Sequence, residues 1–163
     1  MEVIPFRPEL TRDVSDLIVG IQREEFSIDI TAEQQPDLHD IPGFYQVRRG
    51  NFWVAISDDR VVGTISLLDI GDHQGALRKM FVHRDFRGPQ AGTAKLLLDT
   101  VLGWARAKGV LEIFLGTTSK FLAAHRFYEK NDFSEITQSA LPPAFPIMTV
   151  DTKFFHRRVE VSA

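Results

Sequence analysis

Apolar residues recur along this chain with two different periods, and the switches between them mark out its elements. Leu10, Val14, Leu17, Ile18 and Ile21 stand three or four apart, which predicts an amphipathic helix, with Pro8 suited to its start. Ahead of it, Glu2–Arg7 reads as a short strand. Behind it, the pattern predicts a weaker helical segment between Thr31 and Tyr45, broken by Pro36 and Pro42. From Gly50 onward short apolar runs take over: Asn51–Ser57, a turn at Asp58-Asp59, Arg60–Leu68, a second turn at Gly71-Asp72-His73-Gln74, then Gly75–Val82. Three sequential strands on tight turns make an antiparallel meander.

The helical period then returns. Ala94, Leu97, Leu98, Val101 and Ala105 share one face, Lys95, Asp99 and Arg106 lie toward solvent, and Gly109 ends the helix. Val110–Thr117 follows as a strand. Strand, helix and strand in this order require a parallel pair joined by a right-handed crossover. Ser119 is placed to cap a last helix, Lys120–Lys130. The chain closes with the strand Phe133–Gln138, the loop from Leu141 to Pro146 and the strand Ile147–Phe155. The predicted architecture is one mixed sheet with helices on both faces.

Composition narrows the function classes. At 163 residues a single domain over 1–163 is expected, burying roughly 70% of its unfolded surface. A net charge of -3 gives no concentrated basic face, so no nucleic-acid partner is indicated. No apolar run approaches the roughly 20 residues that span a bilayer, so no membrane partner is indicated either. Met1–Pro5 lacks the regions of a signal peptide. Cysteine is absent, which rules out thiolate metal sites and a cysteine nucleophile and agrees with a cytoplasmic location. Charge is uneven: Glu24, Glu25, Asp29, Glu33, Asp37 and Asp40 make an acidic N-terminal third, while Arg78, Lys79, Arg84 and Arg87 make a basic centre. That division suits either a cationic substrate meeting an anionic cofactor or two solvated faces.

The junction between the meander and the central helix carries the strongest chemical signal. Here Gly75–Ala94 runs from a strand through a basic, glycine-containing turn into a helix. Such a turn aims free backbone N–H groups and the positive helix end at one spot, which suits a phosphate or pyrophosphate. A Walker loop is excluded, because Gly88 and Gly92 have the wrong spacing and Lys95 is misplaced. A dinucleotide fingerprint is excluded too, because the strands before the turn are antiparallel.

Three segments carry a family resemblance: Leu77-Arg-Lys-Met-Phe-Val82, then Arg87-Gly88…Gly92-Thr93-Ala94…Leu97, and Ala124-His-Arg-Phe-Tyr-Glu-Lys-Asn-Asp-Phe133. In these the chain resembles the GNAT acyl-CoA-dependent N-acetyltransferases. The resemblance implies an α/β (α+β) fold: a mixed, mostly antiparallel sheet of about six to seven strands with one splayed parallel pair, flanked by about four helices. It implies acetyl-CoA as co-substrate and no metal. The pyrophosphate would rest on the turn formed by Arg87, Gly88, Pro89, Gln90, Ala91, Gly92, Thr93 and Ala94. The pantetheine arm would lie along backbone of Met80, Phe81 and Val82, with an N–H of that segment serving the oxyanion. Phe121, Ala124, Phe127 and Lys130 of the last helix are its further implied cofactor contacts. The family's usual glycine is replaced by Gln90 in the turn and by Asp132 after the last helix, its frequent asparagine by Phe121, and Pro89 removes a possible donor.

Phe121, Ala124, His125 and Tyr128 fall on one helical face. Tyr128 stands where the family keeps its usual acid, and a phenol of pKa near 10 is suited to protonating a departing thiolate of roughly 8.5. The alternative for Tyr128 is a packing role with its hydroxyl bonded to backbone. For the general base the sequence offers Glu25 beside Glu24, with His125, His73 and His83 as alternatives. The expected activity is direct acetyl transfer to a primary amine, with a small molecule as the first candidate for acceptor. A protein lysine or N-terminus, and a coenzyme-A-binding sensor or interaction domain, stand as alternatives. A homodimer is compatible with the resemblance.

Overall fold

Val61–Leu67 is the longest uninterrupted buried run among the described residues, and a strand buried on both faces needs neighbours on each side in a sheet covered from above and below. The computed structural model, which describes residues 1–119 and 121–160, bears this out. Its strands are β1 (Glu2–Pro5), β2 (Asn51–Ser57), β3 (Arg60–Gly71), β4 (Gln74–Val82), β5 (Glu112–Thr117), β6 (Ser134–Ile136) and β7 (Lys153–Arg158). Its α-helices are α1 (Thr11–Gly20), the single turn α2 (Ile41–Phe44), α3 (Thr93–Lys108) and α4 (Leu122–Lys130). The strands form one sheet in the order β1-β2-β3-β4-β5-β7-β6.

Alternate residues of β2 feed opposite faces. Trp53 and Ala55 pack with Leu97, Leu98, Val101 and Ala105 of α3, while Phe52 and Val54 pack with Val14 and Ile18 of α1 and with Leu38, Ile41 and Tyr45. Fully burying each such side chain is worth about 1.5–3 kcal/mol, so these two layers hold the sheet rigid beneath the site.

Every strand pair is antiparallel except β4 with β5. That parallel pairing is brief: Gln74↔Glu112, Gly75↔Ile113 and Ala76↔Phe114. Beyond Ala76 the two strands part. β4 stays paired to β3 as far as Val82, and β5 stays paired to β7 as far as Thr117, so each is held from its outer side while a gap opens between them.

Several boundaries differ from the sequence expectation, each for a local reason. Pro36 and Pro42 start helical turns rather than break one: each occupies the first turn of a short helix, where a missing N–H costs nothing, and Asp40 caps α2 through Gly43 N–H. The end of α1 widens into a π-turn at Ile21–Glu25. The hairpin from β3 to β4 turns on Asp72 and His73 alone, both at positive φ, which lengthens both strands. The strand expected from Ile147 begins only at Lys153, because Met148 N–H donates to Asp151 Oδ2 and Asp151 N–H returns to Met148 O, closing a turn. Ser119 does not cap α4; its N–H donates to Thr152 Oγ1, and Phe121 precedes the helix. Lys120, the expected first residue of that helix, lies outside the described residues.

Leu98 is fully buried between α3 and the sheet, so Leu98→Ala should cost about 2–5 kcal/mol of stability, read from the shift in urea midpoint at constant slope.

Candidate active site

The gap between β4 and β5 is lined by Leu77, Arg78, Lys79, Met80 and Phe81 on one side and by Leu115, Gly116, Thr117 and Thr118 on the other. Phe121, Ala124 and Tyr128 of the α4 segment close one end; Gln22, Ile28, Ile30 and Gln35 border it from the N-terminal third, and Phe145–Asp151 from the loop before β7. Of the expected site residues, Met80, Phe81, Phe121, Ala124 and Tyr128 thus meet in one cleft.

A bulge shapes the β4 wall. Thr64 pairs with Phe81 and Ser66 with Arg78, so Lys79 and Met80 together oppose Ile65. Lys79 takes φ 54, a left-handed conformation that is uncommon for a residue with a side chain. Two buried hydroxyls secure it: Thr64 Oγ1 donates to Lys79 O and Ser66 Oγ to Arg78 O, each at 2.7 Å. The bulge also changes side-chain direction. Neighbours on a strand ordinarily point to opposite faces, yet Arg78 and Lys79 both reach the carboxylate of Asp37, at 4.0 and 3.5 Å.

Asp37 is itself buried and accepts the Tyr45 hydroxyl at 2.5 Å. Lys79 Nζ donates to Gln35 Oε1 at 2.5 Å, and Gln35 exchanges amide hydrogen bonds with Gln22 at 2.9 and 3.2 Å. Burial pulls the Lys79 ammonium below its ordinary pKa, partly offset by Asp37, and pushes the Tyr45 phenol well up. This network ties the segment between α1 and α2 to the cleft wall.

Tyr128 is buried against Phe133 and Phe155, and its hydroxyl reaches Met80 Sδ at 3.7 Å. Desolvation raises its pKa above that of a free phenol, so it is a protonated donor throughout the neutral range. The Tyr128 ring packs within the core, as the packing alternative expects, while its hydroxyl donates to a sulfur at the cleft rather than to backbone.

The anion turn follows β4. Gly88 (φ 95) and Gly92 (φ 69) supply its left-handed positions, while Gln90, in the place of a family glycine, keeps a negative φ and is exposed. Gly92 precedes α3 with no side-chain cap, and the first helical bond runs from Leu96 N–H to Gly92 O. The N–H groups of Thr93, Ala94 and Lys95 therefore have no partner inside the helix, a donor set suited to a phosphate. Asp132, also replacing a family glycine, takes φ 68 and satisfies the same backbone requirement. Phe127 packs against the core and Lys130 is exposed at the end of α4; neither borders the cleft.

Glu25 does not join this cleft. Its carboxylate forms a two-pronged pair with Arg87 at 2.7 and 2.9 Å, and Arg87 Nε also donates to Val82 O at 2.8 Å. The hydrogen bond from Arg87 lowers the Glu25 pKa, which makes it a poor base, so the geometry favours an anchoring role in place of the expected catalytic one. The histidines are engaged elsewhere: His125 Nε2 with Thr118 O, His73 with Arg49 and Gly109 O, and His83 with Asp85 N–H. None of the acidic residues of the N-terminal third lines the cleft, so the idea that they draw in a cationic substrate finds no support in their placement. The carboxylate that does line it is Asp151, whose pKa burial raises. Asp151 was missed as a site residue because a turn stands where a strand was expected, and Arg78 because it was read only as part of a basic centre.

A family model described as Acetyltransferase (GNAT) family matches residues 16–133, and the chain belongs to that family. An acetyltransferase of the GNAT family from Staphylococcus aureus Mu50 shares the whole architecture, with a TM-score of 0.93 at 36% identity over 98% of this chain and 99% of that one. N-acetylaspartate synthetase of Xenopus tropicalis is 32% identical over 126 residues, 75% of this chain and 46% of that protein. Human N-acetyltransferase 8 is 35% identical over 107 residues, 63% of this chain and 47% of that protein. The chain thus spans about half the length of the curated relatives it matches. The PaiA N-acetyltransferase of Thermoplasma acidophilum, solved in complex with coenzyme A, shares the fold at a TM-score of 0.73 and 15% identity.

The turn's dihedrals set opposite expectations for two substitutions. Gly92→Ala forces a side chain into left-handed backbone and should cost about 1–2 kcal/mol. Gln90→Gly, which restores the residue usual in the family, should not stabilise the chain but cost about 0.4–1 kcal/mol through the freer unfolded state; paired urea melts compare the two.

Proposed function

We propose that this chain transfers the acetyl group of acetyl-CoA directly to the primary amine of a small molecule. The observation that carries this reading is the meeting of the bulged β4 wall and the Tyr128 hydroxyl in one cleft, on the strand that leads into the anion turn. The uncapped N–H groups of Thr93, Ala94 and Lys95, together with the positive-φ backbone at Gly88 and Gly92, fit a pyrophosphate. The unpaired inner edges of β4 and β5 fit an extended amide-bearing arm that adds to a strand edge.

Acetyl-CoA supplies an activated acyl thioester. Main-chain N–H groups at the Lys79–Met80 bulge, drawn out of the regular ladder, are the proposed donors to the developing oxyanion. The amine nitrogen forms the new C–N bond as the C–S bond breaks; the amine's proton leaves to solvent, and Tyr128 supplies the proton taken up by sulfur. A hydroxyl that already donates to the thioether of Met80 is placed for a sulfur acceptor. Because burial raises its pKa, Tyr128 is a weaker acid than a free phenol, so it acts on the sulfur as negative charge develops there rather than before. The 32% identity to a synthetase of N-acetylaspartate favours a small amine over a protein acceptor.

Acetyl-CoA at 100 times its Kd should stabilise the fold by about 2.7 kcal/mol, seen as a rise in Tm, and absence of any shift would remove the cofactor reading. Tyr128→Phe should lower kcat by about 100-fold or more while acetyl-CoA affinity stays within about threefold, measured by thiol release and calorimetry. With its pKa raised above the free value, the phenol stays protonated from pH 7 to 9, so deprotonation of Tyr128 should produce no falling limb of kcat in that range.

A further inference from the structure

The transfer chemistry leaves the charges of the cleft unused, and they are ordered. On the β4 side Arg78 and Lys79 have side chains only 13% and 8% exposed, and Asp37 is the carboxylate they share. Two cations against one carboxylate leave an excess positive charge, and it falls on Arg78, because Asp37 is nearer to Lys79 and to the Tyr45 hydroxyl. Among the described residues the single hydrogen bond of the Arg78 guanidinium runs to a thioether, Met148 Sδ at 3.5 Å. Its Cζ lies 5.6 and 5.9 Å from the ring centres of Phe44 and Tyr45, which hold the group in place without satisfying its donors. No fully buried side-chain nitrogen or oxygen lacks a partner among the described residues, so the remaining guanidinium nitrogens are open to the cleft. A fixed guanidinium whose nearest carboxylate, Asp37, stands at 4.0 Å and outside hydrogen-bond reach is a receptor for a further carboxylate, which it binds through two parallel N–H donors.

The opposite wall carries the complementary charge. Asp151 sits over Gly116 of β5, where a Cβ would come within 2.5 Å of its Oδ2, so the glycine is what makes room for the carboxylate. Met148 N–H fixes that oxygen at 2.9 Å. Arg78 and Asp151 border the same cleft, near enough for the guanidinium charge to favour the carboxylate but with no contact within 4 Å. A ligand bearing both charges, a few bonds apart, would satisfy the two at once.

We infer that the acceptor is an amino carboxylic acid whose carboxylate pairs with Arg78, beside Lys79, and whose amino group lies toward Asp151. The inference rests on the acetyltransferase reading above. It excludes polycationic acceptors and lysine side chains of basic peptides, whose surplus positive charge would meet Arg78.

The test is a panel of matched triplets offered to the wild-type protein with acetyl-CoA: amino acids with acidic, apolar and aromatic side chains, each beside its amide and its decarboxylated amine, followed by thiol release. The acids should exceed their amides in kcat/KM by at least about 30-fold, the loss expected when one buried charge is left without its partner. Arg78→Met should bring that ratio to within about threefold of unity, and Arg78→Lys should restore part of it. If Arg78→Met does not fold, the wild-type panel decides alone. Equal turnover of acids and amides would overturn this inference while leaving acetyl transfer standing. Thiol release with no amine at all, despite a folded protein, would overturn the acetyltransferase reading itself.

Discussion

The site depends on one constraint: β4 and β5 are hydrogen-bonded to each other over three residue pairs and to different partners thereafter. Had the parallel ladder continued, the inner edges of both strands would be consumed and no cleft would exist. The separation holds because each strand is secured from behind, β4 by β3 and β5 by β7, in ladders that run on well past Ala76. Those ladders are in turn backed by fully buried side chains, Ile65 and Leu67 in β3 and Phe155 in β7. Beyond Ala76 the facing inner edges of the two strands pair with no strand among the described residues, a feature that proteins otherwise shield from adventitious strand pairing. Here the cleft offers it to a ligand from within the sheet.

The bulge at Lys79 adds a second level of organisation to the same wall. A regular strand would send Arg78 and Lys79 to opposite faces. The extra residue brings both onto Asp37, and the Thr64 and Ser66 hydroxyls take up the two carbonyls displaced from the ladder. Those two polar residues interrupt the most buried strand of the sheet, and the bulge is the physical reason for their presence. Backbone distortion, two buried hydroxyls and a cationic wall are parts of one arrangement.

This division also explains what the sequence could disclose. Elements with strong periodicity were legible: the apolar face of α3, its left-handed Gly109 end and the meander with its Asp58-Asp59 turn all follow from spacing and turn chemistry. Tyr128 and Met80 were legible as members of a motif. Arg78 stood in the motif and follows ordinary alternation from Leu77, but the bulge that turns Lys79 to the same face could not be read from spacing. Asp151 was hidden by an apolar run that read as strand from Ile147, whereas a side chain-to-backbone turn delays β7 to Lys153. Glu25 was chosen on sequence position alone, and position does not reveal that Arg87 claims its carboxylate from 62 residues away.

The pairing of Glu25 with Arg87 bears on how the two ends of the site are kept apart electrostatically. Arg87 is the basic residue at the entrance to the anion turn, and an unopposed guanidinium there would offer an anionic acceptor a competing attachment point. Glu25 neutralises it with both oxygens, and Val82 O orients it, so the positive potential of the turn is left chiefly to the backbone N–H groups of Thr93–Lys95 and the dipole of α3. The cationic wall of the cleft is partly neutralised in the same manner, by Asp37 closer to Lys79 than to Arg78, which leaves Arg78 as the less compensated charge of that wall. The two anion-binding groups proposed for the site thus differ in kind. A row of backbone dipoles suits a diffuse pyrophosphate, and a single planar guanidinium suits one carboxylate.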